Sequence, residues 1–233
     1  PMLPEALSCD LCSLKPGVDR LAMTVDLTLD ASGRVMSSDL YPSVIRSRAR
    51  LSYDEVDALL AGHVPGGRVV EGRDLLPFFS GLDQVSCLRQ RLRRERGSIE
   101  FVTTEAKLVL DDQHRPVDVR VRRRTPATSL IEEAMLAANE AVARYLVRAH
   151  APAAFRVHEP PAADSLAGLV PVLQQLGRLE GVSKTGVYLG DAHALQAVLD
   201  QVRGAPEEVV VSAVMLRAMR RATYEPRNAG HFG

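Results

Sequence analysis

Hydrophobic residues recur at three- and four-residue steps over the stretch TPATSLIEEAMLAANEAVARYLVRAH, from Thr125 to His150. This spacing is typical of an amphipathic helix, and it is the longest uninterrupted helical pattern in the chain. Pro126 is at a position where a helix tolerates proline, and Ser129 precedes Glu132 by the spacing of a capping box. We therefore predict a helix that begins near residue 128. Its predicted core face comprises Ile131, Met135, Ala138, Val142, Tyr145 and Leu146.

Two polar side chains, Glu132 and Asn139, interrupt this predicted apolar face. Polar groups inside a core are either hydrogen-bonded internally or used for function. Asn139 is interpreted as a buried amide that ties the helix to a loop. Glu132 either completes the capping box with Ser129 or contacts a ligand. Spacing alone leaves these two interpretations of Glu132 open.

The segments before the long helix also carry clear patterns. Pro42 lies in a predicted strand and indicates an edge or a bulge there. In the second long helix, Leu82, Val85 and Leu88 should point inward and the arginines outward, and Gly97 should end the helix. We predict, in chain order, a short helix between prolines (residues 1–17), a β-hairpin (21–30 and 34–51), a short helix (53–60), a glycine-rich connector (61–68), a long helix (73–96) and three short strands (99–103, 106–110 and 117–122).

After the central helix, helical patterns outweigh strand patterns. We predict a short strand over residues 155–158 and helices over residues 164–176, 191–203 and 206–222, the middle one introduced by Asp191. Neither a repeat nor a linker divides the chain. The prediction is one α+β domain over residues 1–233, helix-rich, in which a mixed and largely antiparallel sheet packs against long helices.

Composition fits a folded domain, because 46% of the 233 residues are hydrophobic. No apolar run reaches the roughly 20 residues that a membrane span requires, and the chain does not open with a signal-peptide pattern. We expect a cytoplasmic protein that does not contact membranes. The chain begins at Pro1, so we expect it to be a piece of a longer protein.

The formal net charge is zero, but arginines are clustered and lysine is nearly absent. An arginine guanidinium can donate two hydrogen bonds at once to a phosphate, so the clusters suggest nucleic-acid contact. The alternative is that they form solvated faces of the fold. The clusters are RSRAR (46–50), RQRLRRER (89–96), RVRRR (120–124) and RAMRR (217–221).

Candidate metal ligands are few. Cys9 and Cys12 form a CxxC pair, but Cys87 is far away and no second pair of closely spaced ligands follows. Asp111 and Asp112 are adjacent at a predicted hairpin tip, where such residues usually form turns. We expect no metal to be bound by this chain alone.

Several separated segments resemble, in order, the catalytic domain of the ribonuclease II and ribonuclease R family. They are LPEALSCDLCSLKP with the strand pair that follows it, YPSVIRSRARLSYDEV, RGSIEF, SLIEEAMLAANEAVARYL and RATYEPRNAGHFG. The family usually has Asn or Asp where this chain has Cys9. The resemblance implies processive, magnesium-dependent hydrolysis of single-stranded RNA from its 3′ end, which releases nucleoside 5′-monophosphates.

The resemblance also implies which catalytic parts this chain lacks. The family's D-x5-D-x-D-D cluster, whose aspartates hold two metal ions, lies before the LPxxLS segment. Its TSPIRRY stretch, whose arginine supports the scissile phosphate, comes shortly after HFG. Neither is present in this sequence. We expect an internal portion of the catalytic domain that is inactive by itself, with Mg²⁺ as cofactor of the complete enzyme.

Three positions match the family's RNA-contacting residues. Tyr53 matches the tyrosine placed against the 3′-terminal nucleotide, Phe101 matches an aromatic on which a terminal base stacks, and Glu132 matches a sugar-contacting glutamate. Base stacking tolerates any sequence because every base has a π face. We expect a monomer that clamps single-stranded RNA.

Two other functions stay open. A catalytically inactive module of the same fold would bind RNA or a protein partner without cleaving it. A metal-free hydrolase that uses Glu132 with His150 or His231 is the weakest alternative, because no nucleophile motif accompanies these residues.

Overall fold

The computed structural model describes residues 2–63, 68–101, 105–122 and 124–232. The chain forms two compact units, one of Pro1–Leu92 with Arg124–Tyr145 and one of Arg93–Arg123 with Leu146–Gly233. We call them the first and the second unit. The predicted α+β class is confirmed.

A π-helical turn, Ala6–Leu11, precedes β1 (Asp19–Leu29), β2 (Val35–Arg46), α1 (Tyr53–Leu60), β3 (Val69–Val70), β4 (Arg73–Asp74), α2 (Leu76–Arg96), β5 (Glu105–Leu110), β6 (Pro116–Arg122), α3 (Pro126–Arg148), β7 (Phe155–Val157), α4 (Ala163–Ala167), α5 (Leu169–Gln175), α6 (Lys184–Leu189), α7 (Ala192–Val202), α8 (Glu208–Ala218) and β8 (Thr223–Glu225).

The predicted first hairpin is confirmed. β1 and β2 pair antiparallel from Asp19 opposite Arg46, with a shift of register next to Leu29. In the turn, the Asp30 carboxylate accepts hydrogen bonds from the Ser32 and Arg34 backbone N–H groups at 2.8 and 3.0 Å. Because this sheet has two strands, both are edge strands, and Pro42 is tolerated within β2.

A second hairpin, β3–β4, begins just after the predicted connector, and its second strand takes the place of the predicted start of the helix. Its two-residue turn is Glu71-Gly72, and both residues have positive φ, 50° and 78°. Such turns favour glycine and match the twist of the strands. α2 therefore begins at Leu76 and not at Arg73. The predicted connector over residues 61–68 lies partly outside the described residues.

α2 was predicted to turn its arginines outward, and this is wrong at one position. Arg89 is buried with 5% of its surface exposed, whereas Val85, predicted to point inward, is 37% exposed. The Arg89 guanidinium donates to the Gly33 carbonyl at 3.4 Å and to Glu140 on α3 at 3.3 Å. A buried arginine that has a carboxylate partner replaces apolar packing at this point.

The predicted core face of α3 is wrong at three of its six positions, while Ala138, Val142 and Leu146 are partly buried. Ile131, Met135 and Tyr145 are exposed, and so is Asn139, which therefore is not a buried amide. Most of the buried side chains of α3 are small. The buried residues of α3 are Ala127, Ser129, Leu130, Glu133, Ala137 and Ala141.

The second unit has its own apolar core, formed mainly by α4 to α8. The predicted helix over residues 164–176 is divided at Gly168 because Pro171 has no N–H to bond back across that turn. Helix α6 was not predicted, although Ser183 caps it and Gly190 ends it with φ of 70°. Fully buried members of the core are Leu166, Leu169, Val170, Leu173, Val187, Leu195, Val198, Val202, Val211 and Met215.

Two strand predictions in the second unit need correction. Residues 99–101 are not a strand, and residues 102–103, the end of the predicted strand, lie outside the described residues. β8, which was not predicted, pairs antiparallel with β7. The hairpin β5–β6 agrees with the prediction, and Gly97 follows α2 with φ of 92° as expected for a helix stop. Among the described residues, no helix is long and apolar enough to cross a membrane.

Candidate nucleic-acid interface

Tyr53 is the first residue of α1 and is held there by a capping box. The preceding Ser52 accepts a hydrogen bond from the Glu55 backbone N–H at 3.3 Å, and Glu55 accepts one from the Ser52 backbone N–H at 2.7 Å. The hydrogen bond from the Ser52 backbone N–H holds the pKa of Glu55 below its usual value of 4.5, and the ion pair with Arg68 has the next largest effect in the same direction. Tyr53 is 41% exposed and thus lies at the surface of the first unit.

A hydrogen bond joins α1 to the start of α3. The Asp57 carboxylate accepts from the Ala127 backbone N–H at 2.9 Å. That N–H is one of the first four of α3, which have no partner within the helix. Tyr53 lies four residues before Asp57 and therefore on the same side of α1. The sequence analysis missed Asp57; the available signal was an acid one turn after Tyr53.

The cap of α3 is not the one predicted from sequence. Thr125 Oγ1 accepts from the Thr128 N–H at 3.3 Å, and Thr128 Oγ1 accepts from the Thr125 N–H at 2.8 Å. Pro126 is the first helical residue, as expected for proline. Ser129 is buried within the first turn, and its N–H already bonds the Thr125 carbonyl at 3.0 Å. The predicted Ser129–Glu132 capping box is therefore wrong.

Glu132 forms an ion pair instead. Its carboxylate lies 3.1 Å from the Arg124 guanidinium, and 44% of the Glu132 side chain is exposed. A carboxylate at the surface can accept hydrogen bonds from ligand hydroxyls as well as from an arginine. The structural explanation based on helix capping no longer applies to Glu132. Its predicted role in sugar contact stays a prediction.

Phe101 belongs to the second unit, whereas Tyr53 and Glu132 belong to the first. Phe101 is partly buried and packs against the apolar core of its unit. Its chain segment is fixed by the Glu100 backbone N–H, which donates to Gln196 on α7 at 2.7 Å. One side of the Phe101 ring is thus used in core packing. The predicted role of Phe101 in base stacking stays a prediction.

Every arginine cluster contains an arginine that is ion-paired within the chain. A carboxylate beside a guanidinium offsets its positive charge, so the clusters are not simply open basic surfaces. The four pairs are Arg46–Asp19, Arg89–Glu140, Arg124–Glu132 and Arg220–Glu159. Arg123, in the third cluster, lies outside the described residues.

The described residues include no group of three His, Cys, Asp or Glu that could hold a metal ion. The residues present therefore do not fit a magnesium site, and no metal-dependent step is assigned to them. Asp111 is a turn former: its carboxylate accepts from the Gln113 and Arg115 backbone N–H groups, both at 2.9 Å. Backbone donation from Arg115 lowers the pKa of Asp111 below its usual 3.8. Cys9 and Cys12 are exposed free thiols.

Comparison with known proteins identifies the family. The profile of the RNB domain matches residues 1–233. The chain belongs to the RNB domain family. This RNB domain is 39% identical to ribonuclease R of Aquifex aeolicus over 232 residues, which cover 100% of the chain and 32% of that protein. The chain thus spans about a third of the length of this relative.

Solved structures support the same assignment. The RNB domain superposes on Mycoplasma genitalium RNase R, solved in complex with ribose-methylated single-stranded RNA, with a TM-score of 0.86 and 28% identity over 100% of this chain and 35% of that one. Yeast Ssd1, a pseudonuclease, has the same fold with a TM-score of 0.67 and 21% identity, over 99% of this chain and 27% of that one. The resemblance predicted from sequence is confirmed.

Proposed function

We propose that this chain is the RNA-clamping portion of a 3′ to 5′ exoribonuclease. The complete protein would hydrolyse single-stranded RNA processively to nucleoside 5′-monophosphates, as a monomer in the cytoplasm. The observation that carries the proposal is the match of all 233 residues to the RNB domain, together with the superposition on an RNase R that was solved with single-stranded RNA.

Within this function, the chain's part is to hold the end of the RNA. The exposed ring of Tyr53 would support the terminal nucleotide, and Phe101 would offer an aromatic face for a base. Glu132 would accept hydrogen bonds from sugar hydroxyls, including the 2′-hydroxyl by which a protein distinguishes RNA from DNA. Its place on the second turn of α3 is supported by the Thr125 cap and by the Asp57 contact to that helix.

Magnesium would be held elsewhere in the complete protein. When bound, it would activate the attacking water and stabilise the leaving oxygen. This sequence lacks the D-x5-D-x-D-D cluster that the family uses for the metal. We therefore propose that the 233-residue chain by itself binds RNA without cleaving it.

A paired assay with end-labelled single-stranded RNA and magnesium tests the proposal. The isolated chain should bind the RNA and leave it intact, and the complete parent protein should release mononucleotides from the 3′ end. Chelator should stop the parent and leave binding by the isolated chain unchanged. Chelator-sensitive cleavage by the isolated chain, free of contaminating nuclease, would contradict its assigned inactivity, and an intact RNA with the parent would contradict the exoribonuclease function.

The alternative is a catalytically inactive module that binds RNA or a protein partner. The specific observation in its favour is the fold shared with yeast Ssd1, a pseudonuclease, since a shared fold does not by itself imply catalysis. The same assay separates the two functions. RNA binding by the parent protein without release of mononucleotides would favour the alternative.

A further inference from the structure

His158 follows β7 directly and lies beside the last described residues of the chain. Its backbone N–H donates to the Gly230 carbonyl at 3.2 Å, and its carbonyl accepts from the Phe232 N–H at 2.9 Å. These bonds form an isolated parallel bridge with His231. The segment Gly230–Phe232, which we call the C-terminal segment, is thereby attached to the end of a two-stranded sheet.

The imidazole of His158 adds two further bonds, one from each ring nitrogen. Nδ1 lies 2.8 Å from the Phe232 carbonyl oxygen, and Nε2 lies 2.7 Å from the Arg220 carbonyl oxygen beyond the end of α8. One ring therefore joins three parts of the second unit: the end of β7, the chain after α8 and the C-terminal segment. Both distances are short for N–H···O hydrogen bonds.

The identity of the two partners determines the protonation state of this ring. A carbonyl oxygen accepts hydrogen bonds and has no hydrogen to donate, so each ring nitrogen must carry its own hydrogen. A neutral imidazole has a single N–H, and neither of its tautomers can satisfy both carbonyls. Only the imidazolium can. We infer that His158 is held as an imidazolium and acts as a protonation-dependent clasp for the C-terminal segment.

Charged and titratable side chains lie on the segments that pack against the His158 ring. Glu159, the next residue, forms an ion pair with the side chain of Arg220, whose carbonyl receives the His158 Nε2 bond. On the C-terminal segment, the His231 ring lies 5.3 Å from that of His158, and its Nδ1 is 3.1 Å from the Arg156 carbonyl. The Phe232 ring meets His158 edge to face at 6.1 Å. These charged and titratable groups, Glu159, Arg220 and His231, surround the clasp.

Loss of one proton would open the clasp in a defined way. One ring nitrogen would then direct a lone pair at a carbonyl oxygen less than 3 Å away, which replaces an attraction by a repulsion. All four bonds of the clasp together therefore require the protonated ring, and one of the two ring bonds is lost when the ring is neutral. The backbone bridge to Gly230 and Phe232 would lose its side-chain support at the same time.

Two NMR measurements on the 233-residue chain test the clasp. Long-range proton–nitrogen spectra of histidine-labelled protein report whether each ring nitrogen of His158 carries hydrogen. Exchange of the Phe232 amide, expressed relative to an unstructured chain at the same pH, reports attachment of the C-terminal segment. We expect two protonated nitrogens in mildly acidic buffer. Phe232 protection should fall roughly five-fold as the ring becomes neutral, the effect of about one hydrogen bond.

Two variants serve as comparisons. His158→Gln has one amide donor group and no titration, so its Phe232 amide should be roughly five-fold less protected than in the acidic wild type and should not respond to pH. His150→Gln changes an exposed histidine of the same unit and should retain the wild-type response. A His158 ring that has one bare nitrogen in mildly acidic buffer would overturn the inference. A His158 ring that loses its proton while the protection of the Phe232 amide stays unchanged would overturn it as well. This second test uses the wild-type protein, so it does not depend on whether a variant folds.

Discussion

The Arg124 guanidinium and the Glu132 carboxylate lie 3.1 Å apart, eight residues apart in sequence, at the start of α3. The arginine precedes the helix and the glutamate is in its second turn, so the ion pair lies alongside the Thr125 cap and does not form it. Glu132 therefore does not form the helix cap that its spacing from Ser129 suggested. A test of its function can therefore change its charge without removing the helix cap.

Replacing Glu132 by Gln in the complete parent protein should slow cleavage of RNA roughly ten-fold or more and leave the melting temperature close to wild type. An ionised acceptor of a hydrogen bond contributes about 1.5 to 3 kcal/mol, and the neutral amide contributes less. The exposed ion pair with Arg124 contributes only about 0 to 1 kcal/mol to stability. The measurements are single-turnover cleavage of end-labelled RNA and thermal unfolding.

Arg124→Gln is the matched control, because it breaks the same ion pair and keeps the Glu132 carboxylate. If Glu132 contacts the sugar, cleavage by Arg124→Gln should fall less than cleavage by Glu132→Gln. Removing the 2′-hydroxyl of the terminal nucleotide should slow cleavage by the wild type. The same change of substrate should slow cleavage by Glu132→Gln little further. Unchanged turnover of Glu132→Gln on RNA would exclude the sugar contact.

Thr125→Ala should destabilise the first unit by about 0.5 to 2 kcal/mol, the range for loss of a helix N-cap. Thr125→Ser keeps the hydroxyl that accepts from the Thr128 N–H and should stay close to wild type. Denaturant unfolding of the 233-residue chain measures both. Equal stability of Thr125→Ala and wild type would show that the Asp57 contact and the remaining bonds suffice to start α3.

The sequence predicted well those features that depend on local pattern. The hairpin β1–β2, the short helix from Tyr53 and the long helix over α3 all follow from alternation or from helical spacing. The same S-x-x-E spacing occurs at Ser52–Glu55, where it does form a capping box, and at Ser129–Glu132, where it does not. The difference lies in Thr125 and Pro126, which start α3 one turn earlier.

Burial could be predicted less well because it depends on which elements pack together. In α3 the large residues Met135 and Tyr145 are exposed while Ala137 and Ala141 are buried. In α2 the buried position is taken by Arg89, whose partner Glu140 is 51 residues away in sequence. Periodicity ranks residues by hydrophobicity and cannot detect a buried ion pair between two helices. The candidate residues Tyr53, Phe101 and Glu132 came from family resemblance and not from pattern.

Gly33→Ala should destabilise the first unit more than an ordinary glycine replacement. Gly33 has φ of +86°, and a Cβ built there would lie 2.9 Å from the Cβ of Leu88 on α2. Gly17 provides the control, since it has φ of +73° and nothing within 4 Å of a built Cβ. Both variants share the cost of a positive φ, so the difference in their unfolding free energies reports the close contact. We expect that difference to be about 1 to 3 kcal/mol, and equal losses would show that Leu88 moves aside freely.

Acid should weaken the cap of α1 through Glu55. Because the pKa of Glu55 in the folded chain is below its usual 4.5, the ionised form stabilises the fold. This stabilisation is complete above that usual value and is lost as the pH falls through the lowered one. The decrease in unfolding free energy from neutral to acidic pH should therefore be smaller for Glu55→Gln than for wild type. Glu95→Gln, at an exposed position of α2, should keep the wild-type decrease, and equal decreases for all three proteins would contradict the prediction.

Replacing either Tyr53 or Phe101 by Ala should weaken RNA binding by about 1 to 3 kcal/mol, the range for loss of a base stack. Their effects on stability should differ, because Tyr53 is 41% exposed whereas Phe101 packs against the core of the second unit. Phe101→Ala should therefore also lower the melting temperature, which would confuse a simple binding assay.

Phe101→Leu separates the two effects, since leucine keeps much of the apolar packing and has no aromatic face. If Phe101 stacks on a base, Phe101→Leu should bind RNA about as weakly as Phe101→Ala while melting closer to wild type. Tyr53→Phe keeps the ring and should bind nearly as tightly as wild type. Fluorescence anisotropy with a labelled single-stranded RNA and thermal unfolding measure the two quantities independently. A Phe101→Leu protein that binds RNA with wild-type affinity would make Phe101 a packing residue and leave Tyr53 as the aromatic contact.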